Sequence, residues 1–302
     1  MKDYLDRLIN LALDEDLGAA GDVTSIALVP PEAVGSGELL AKEQLVLAGL
    51  EAFARVFHTV DRDVRVELLR RDGEEIKPRV VAAKVSGRLR SLLAAERTAL
   101  NIVQRMSGIA TLAQQAMTSV RGSKLKVLDT RKTPPGMRGL SKEAVRLGGA
   151  SNHRFGLFDG ILIKDNHIAA VGGSIKEALR RPRAYAPPLV KIEIEVTNLK
   201  QLAEAIEGGA DVVMLDNMDD AQIRQAVEFT AGRVPLEVSG GVTLERLPRL
   251  AKLGVDFVSM GSLTHSARAM DLSLQVATPR RSGRAAVRQQ GEAQALRRRR
   301  PT

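Results

Sequence analysis

From residue 124 onward the chain alternates short aliphatic and β-branched runs with longer stretches whose apolar positions recur three and four apart. The short runs are KLKVLDT (124–130), GILIKDN (160–166), VKIEIEV (190–196), DVVMLDN (211–217), PLEVSGG (235–241) and DFVSMGS (256–262). Between them NLKQLAEAIEGGA (198–210), AQIRQAVEFTAG (221–232) and TLERLPRLAKLG (243–254) each carry one apolar stripe, and glycine often follows where the stripe ends. Strands and helices alternating in this way predict right-handed βαβ units and a parallel sheet. Six or more such units in a row favour a parallel βα barrel, complete or incomplete, over an open sheet.

The first 115 residues follow another rhythm. An amphipathic helix, MKDYLDRLINLALDEDLG (1–18), is followed by SGELLAKEQLVLAGL (36–50), a helix at EAFARVFHTV (51–60), and VRVELLRRDGEEIKPRVVAAKVSGRLRSLL (64–93). Short alternating strands with glycine and proline turns predict an antiparallel sheet with its own helices. A long helix over 94–120 joins the two parts. The expected architecture is therefore α/β: an N-terminal α+β sandwich domain over 1–115 and a catalytic barrel over 116–266. The DLSLQV stretch within 267–277 is a candidate to return to the first domain, and 278–302 form a tail.

Composition sharpens this picture at three points. With 302 residues, 3% of them aromatic, the chain has room for one large or two ordinary domains packed from aliphatic side chains. It has no cysteine, which excludes disulfides and thiolate metal sites. The net charge of +9 suggests nucleic acid, but the tail 278–302 holds eight arginines and one glutamate, so +7 belongs to the tail and about +2 to the rest. The tail's polar composition predicts disorder, and nucleic acid is not expected as a partner beyond weak backbone contacts there. With no export signal and no long apolar run, a cytoplasmic protein without a membrane partner is expected.

Functional residues of a βα barrel sit where strands end and loops begin. Here those ends offer Asp129, Arg131 and Lys132, then Lys164, Asp165, Asn166 and His167, then Glu195, then Asp216 and Asn217, with Asn152-His153-Arg154 just before the second strand. The last two ends, Ser239-Gly240-Gly241 and Met260-Gly261-Ser262, are small, so backbone N–H groups can approach an anion. Arg131, Lys132, His153, Arg154 and Lys164 would converge on one flank of the barrel mouth, a density of charge that calls for an anion with at least two negative charges. Glu195 and Asp216, from neighbouring strands, face them and are suited to bind sugar hydroxyls, to coordinate Mg²⁺ or to stabilise a cationic sugar ring. A phosphate cradle, a carboxylate pair and a dicarboxylate grip describe transfer between a phosphorylated sugar and an acidic small molecule.

The stretch DTRKTPPGMRGLSKEAVRLGGASNHRFGLFDGILIKDNH (129–167) resembles the signature region of the quinolinate phosphoribosyltransferases. The resemblance extends through EDLGAAGDVTS (15–25), ERTALNIVQRMSGIAT (96–111), IEIEV (192–196), VVMLDNM (212–218), VSGGV (238–242) and SMGSLTHS (259–266). It implies that quinolinate and phosphoribosyl pyrophosphate give nicotinate mononucleotide, pyrophosphate and CO2 in NAD biosynthesis. It also implies Mg²⁺ with the phosphoribosyl pyrophosphate, near Glu195 and Asp216. By resemblance Arg131, Lys132, His153 and Arg154 bind the quinolinate carboxylates, and Arg97 reaches the same pocket from a neighbouring subunit of a homodimer or hexamer. Lys164, Glu195 and Asp216 face the phosphoribosyl group, whose phosphate is held at Ser239, Gly240 and Gly241 and at Met260, Gly261 and Ser262. Lys132, Lys164, Glu195 and Asp216 are the expected catalytic set. Pro135, Ser151 and Asp165 depart from the family pattern without removing a charged group. The alternative is a paralogous phosphoribosyltransferase-like protein associated with molybdate transport, and the intact Asn152–Arg154 and Lys164–His167 groups speak against it.

Overall fold

The structure, a computed structural model, describes residues 2–277; the basic tail of 278–302 lies outside the described residues. The first unit comprises helices α1 (Lys2–Leu17) and α2 (Val23–Leu28), strands β1 (Val34–Ala41) and β2 (Leu45–Val46), helix α3 (Leu50–Val60), strands β3 (Arg65–Leu68), β4 (Glu75–Ile76) and β5 (Val81–Arg88), and helix α4 (Leu89–Ser119). After these come β6 (Lys126–Leu128), α5 (Arg138–Leu147), β7 (Ile161–Ile163), α6 (Asp165–Ala170), α7 (Ile175–Tyr185), β8 (Ile192–Val196), α8 (Leu199–Glu207), β9 (Val212–Asp216), α9 (Asp220–Thr230), β10 (Leu236–Ser239), α10 (Leu247–Leu253), β11 (Phe257–Ser259), α11 (Ser262–His265) and β12 (Leu272–Ala277).

Two local outcomes differ from the sequence pattern. Helix α4 starts at Leu89, five residues before the predicted 94, so of RLRSLL only Arg88 belongs to a strand. Leu89, Leu92, Ala95 and Ala99 are all buried, and their three- and four-residue spacing carries the stripe of α4 back to the end of β5. Helix α2 forms where none was predicted, because Asp22 caps it by accepting the Thr24 and Ser25 amides.

The antiparallel sheet has the order β12-β1-β5-β3, so the C-terminal strand lies beside β1, with Ser36 opposite Ala277 and Ala41 opposite Leu272. Helix α4 packs on this sheet and passes close under the chain that leads to β12. A Cβ at Gly108, in the middle of α4, would lie 1.7 Å from the carbonyl oxygen of Arg268, so no larger residue fits without moving that segment.

The second sheet is wholly parallel, in the order β6-β11-β10-β9-β8-β7. Sequence neighbours are spatial neighbours from β7 to β11, and β6 comes round to lie beside β11, the cyclic order of a barrel. The ring is incomplete between β6 and β7. There Ser151 runs along the free edge of β6, donating to the Val127 carbonyl at 2.9 Å and accepting from the Asp129 amide at 3.1 Å. Residues on each strand alternate between faces. Ile192, Ile194 and Val196 of β8 are fully buried in the hydrophobic core, and Glu193 and Glu195 therefore face the barrel interior. The same alternation turns Met214 and Asp216 of β9 and Glu237 and Ser239 of β10 inward.

Candidate active site

A cavity of about 610 Å³ opens at the carboxyl ends of the parallel strands. It is lined on one side by Thr130, Arg131, Lys132, His153, Arg154 and Lys164, and on the other by Glu195, Asp216, Asn217, Ser239, Gly240 and Gly241, with Leu162, Met214 and Ser259 below them. The cationic group, the carboxylate pair and the first glycine loop, drawn from six separate stretches of sequence, thus share one space.

The cationic flank is built on a buried anchor. Asp129, fully buried at the end of β6, accepts from Lys142 Nζ of α5, from Asn152 Nδ2 at 2.6 Å and from the His153 amide at 2.9 Å. Burial raises the Asp129 carboxyl above its ordinary value against the pull of Lys142, and burial lowers the Lys142 ammonium against the pull of Asp129. The pair acts as a neutral-sum pin that fixes the Asn152–Arg154 segment to the open edge of β6. Arg154 then reaches across, donating to the Gly160 carbonyl at 2.8 Å. Burial, followed by the charge of Arg131, pulls its guanidinium below the ordinary value. Arg131 Nε is itself buried without a hydrogen-bond partner among the described residues. Two crowded guanidiniums with an unsatisfied buried donor form an anion site.

His153 faces the cavity and also the barrel floor. Its Nδ1 accepts the Arg154 amide at 2.7 Å, which places the proton of the neutral ring on Nε2, 3.0 Å from Glu193 Oε2 and 3.6 Å from Glu237 Oε2. Burial opposes a second proton, but the bond to Glu193 and the charges of Glu237 and Glu193 outweigh it and raise the His153 pKa. The charged ring gives up the amide contact.

Lys164, the last of the cationic group and at the N-terminus of α6, is joined directly to Glu195 by an ion pair. The two expected flanks therefore touch, and Glu195 shares its charge with Lys164. Asp216 accepts from Asn217 Nδ2 at 2.9 Å, and no other hydrogen bond to it is found among the described residues, so it is the open carboxylate of the pair. Gly240 has φ +91°, and a Cβ there would come within 2.1 Å of Asn217 Oδ1, so this turn requires glycine. Gly241 opens on free space. Helix α10 begins only at Leu247, so the Ser239–Gly241 loop, not a helix N-terminus, meets the cavity.

Four expected residues do not line it. Met260 is buried, with its amide bound to the Leu128 carbonyl; Ser262 lies in the short α11; and a Cβ on Gly261 would sit 3.0 Å from Lys132 Cδ, so Gly261 makes room for Lys132. The last strand contributes Ser259 instead, one position earlier. Arg97 is exposed on α4 and is not among the residues lining this chain's cavity. Sequence reasoning missed Ser259, Thr130, Leu162 and Met214 on the wall, and Glu193 and Glu237 beneath. The available signal was the two-residue period, which puts Glu193 on the same face as Glu195.

Comparison with known proteins identifies the family. Residues 22–107 match the family model for the quinolinate phosphoribosyl transferase N-terminal domain, and 109–275 match the one for its C-terminal domain. The chain is 43% identical over 272 residues to the probable nicotinate-nucleotide pyrophosphorylase (carboxylating) of Bacillus subtilis, covering 90% of this chain and 93% of that one. It is 38% identical to the corresponding protein of Methanocaldococcus jannaschii, covering 91% and 98%. The crystal structure of NadC from Streptococcus pyogenes superposes with a TM-score of 0.88 at 40% identity, over 93% of this chain and 99% of that one.

Proposed function

This chain belongs to the quinolinate phosphoribosyltransferase family, and on that footing we propose how its cavity divides the work of the reaction. The enzyme is a carboxylating nicotinate-nucleotide pyrophosphorylase of NAD biosynthesis. Quinolinate and phosphoribosyl pyrophosphate give nicotinate mononucleotide, pyrophosphate and CO2. The relatives' names favour this activity over a role in molybdate transport.

Arg131, Lys132, Arg154 and protonated His153 grip the two carboxylates of quinolinate. The unsatisfied Arg131 Nε beside Arg154 supports this most directly, since it leaves a buried donor for an incoming oxygen to satisfy. With the ring so held, the pyridine nitrogen is presented to the anomeric carbon as pyrophosphate leaves. Glu195 steadies the positive charge that develops on the ribose, and Lys164, paired to it, offsets the departing pyrophosphate. The phosphate of the sugar rests on the Ser239–Gly241 loop. Mg²⁺ enters with the diphosphate as part of the substrate, and the open carboxylate of Asp216 fits it better than Glu195, which Lys164 already occupies. No helix among the described residues is long and apolar enough to cross a membrane.

The observation that carries this reading is the single cavity holding Arg131, Arg154 and Lys164 together with Glu195 and Asp216. Its test is a steady-state assay of CO2 and pyrophosphate release from quinolinate, phosphoribosyl pyrophosphate and Mg²⁺. In that assay Arg154→Ala is expected to lose about 10²-fold or more in kcat/KM for quinolinate, the scale of one truncated buried charge contact. A variant with near-normal efficiency removes Arg154 from the grip.

A further inference from the structure

Phosphoribosyl transfer leaves one buried group of this barrel without a task. Glu193 and Glu237 face inward one layer below Glu195 and Ser239, and together with His153 their nearest ligand-type atoms lie within 4.8 Å of one another. The Glu237 side chain is 2% exposed and that of Glu193 11%. Each keeps its Oε1 buried without a hydrogen-bond partner among the described residues. Two carboxylates this close, sharing a single imidazole and shielded from water, cannot both stay ionised, so one proton is held between them. The groups facing Glu237 are Glu193 from β8, His153 from the loop before β7 and Ser259 from β11; β9 offers it the apolar Met214. Burial first, then the charge of Glu193, push the Glu237 carboxyl up to about 8, against His153 and Ser259. At neutral pH Glu237 is an acid.

That acid lies directly under the substrate cavity. Met214, its partner in the β9–β10 register, lines the cavity floor, as do Leu162, the partner of Glu193, and Ser259, whose hydroxyl is buried there without a hydrogen-bond partner among the described residues. The chemistry above the floor requires a proton. When the C2–carboxylate bond of the nucleotide breaks, CO2 leaves and the electron pair stays on C2, whereas the product carries hydrogen there. The ribose and pyrophosphate already occupy Lys164, Glu195 and Asp216.

We propose that Glu237 stores the proton that replaces the departing carboxylate on the pyridine ring, and that the Ser259 hydroxyl passes it on. The electron pair on C2 takes the Ser259 hydroxyl proton, Ser259 takes the carboxyl proton of Glu237, and Glu237 is left as a carboxylate that regains its proton from water once product leaves. Glu193 keeps Glu237 protonated between turnovers. Glu237 acts through Ser259 and is thus a positioning residue for the second half of the reaction. This inference rests on the decarboxylating transfer described above.

The test is rapid-quench turnover of the full chain with quinolinate and phosphoribosyl pyrophosphate, following pyrophosphate and CO2 separately in the same samples. In the unaltered enzyme both appear, and the rate of CO2 release falls as pH rises through about 8. In Glu237→Gln, pyrophosphate release stays within a few-fold of normal while CO2 release slows about 10²-fold or more. The carboxylated nucleotide accumulates, and the pH limb near 8 is gone. Glu237→Asp, still an acid, recovers part of the loss. Ser259→Ala slows the same step and keeps the test open should Glu237→Gln not fold. The proposal is overturned if CO2 keeps pace with pyrophosphate in these variants, if both products slow together, or if Asp does no better than Gln. An unaltered enzyme that releases neither product from quinolinate would instead sink the assignment of the reaction.

Discussion

Asp129 holds the cationic flank in place, although it does not itself line the cavity. Its carboxylate collects Lys142, Asn152 and the amide of His153. Removing it strands Lys142, whose side chain is 4% exposed, without a counter-charge. Asp129→Ala is therefore expected to cost about 3–5 kcal/mol of stability in a denaturant titration, and to raise the quinolinate KM in whatever protein still folds. Loss of stability without any change in KM would show that Asn152–Arg154 hold their place unaided. The sequence marked Asp129 as a polar strand end but could not tell an anchor from a ligand. The difference is burial, which depends on α5 closing over the strand. Glu193 and Glu237 were missed for a related reason. Alternation along VKIEIEV and PLEVSGG shows which face an acid takes, but not how deep in the barrel it lies, and depth is what turns a solvated carboxylate into a protonated one.

At the scale of elements, β12 returns across the molecule to pair with β1, and one clamp guides it there. Glu43, just beyond β1, accepts from both terminal nitrogens of Arg268 and from the Asp271 amide at 2.8 Å. The bonds from Arg268, with burial opposing, hold the Glu43 carboxyl down at about 2, below its ordinary 4.5. A carboxyl depressed on folding stabilises the fold above its unfolded pKa, and that contribution disappears as pH falls through about 2. Glu43→Gln should thus be less stable than the unaltered protein at pH 6, by up to about 1 kcal/mol given the exposure of Arg268, and should match it near pH 2. Equal stability at pH 6 would mean that β12 docks without the clamp. The elements themselves were largely legible: all six parallel strands and helices α8 to α10 fall where periodicity put them. What periodicity could not give were the start of α4, where a strand runs into a helix without a turn, the capped α2, and the gap between β6 and β7. That gap depends on how far the connection through α5 carries the chain round the ring.

The molecule as a whole leaves one expected site residue unaccounted for within a single chain. Arg97 projects from the exposed face of α4 and is not among the residues lining this chain's cavity. We propose that Arg97 serves quinolinate in a neighbouring copy, which would make the complete site the property of an assembly and not of one chain. This places the division between the two units in a functional light: the first supplies α4, whose outer face carries Arg97, and the barrel supplies the cavity that Arg97 would complete. Subunit mixing tests the idea whatever the number of subunits in the assembly. Arg97→Ala spoils the site a subunit lends to, and Arg154→Ala spoils the site it owns, so each variant alone is expected to be crippled. When the two are unfolded together, refolded and assayed, random pairing of subunits leaves about a quarter of all sites with both arginines intact. Recovery to about a quarter of the normal rate is the expected result. If the mixture stays as inactive as its components, Arg97 acts within its own chain or not at all, and the shared site must be given up.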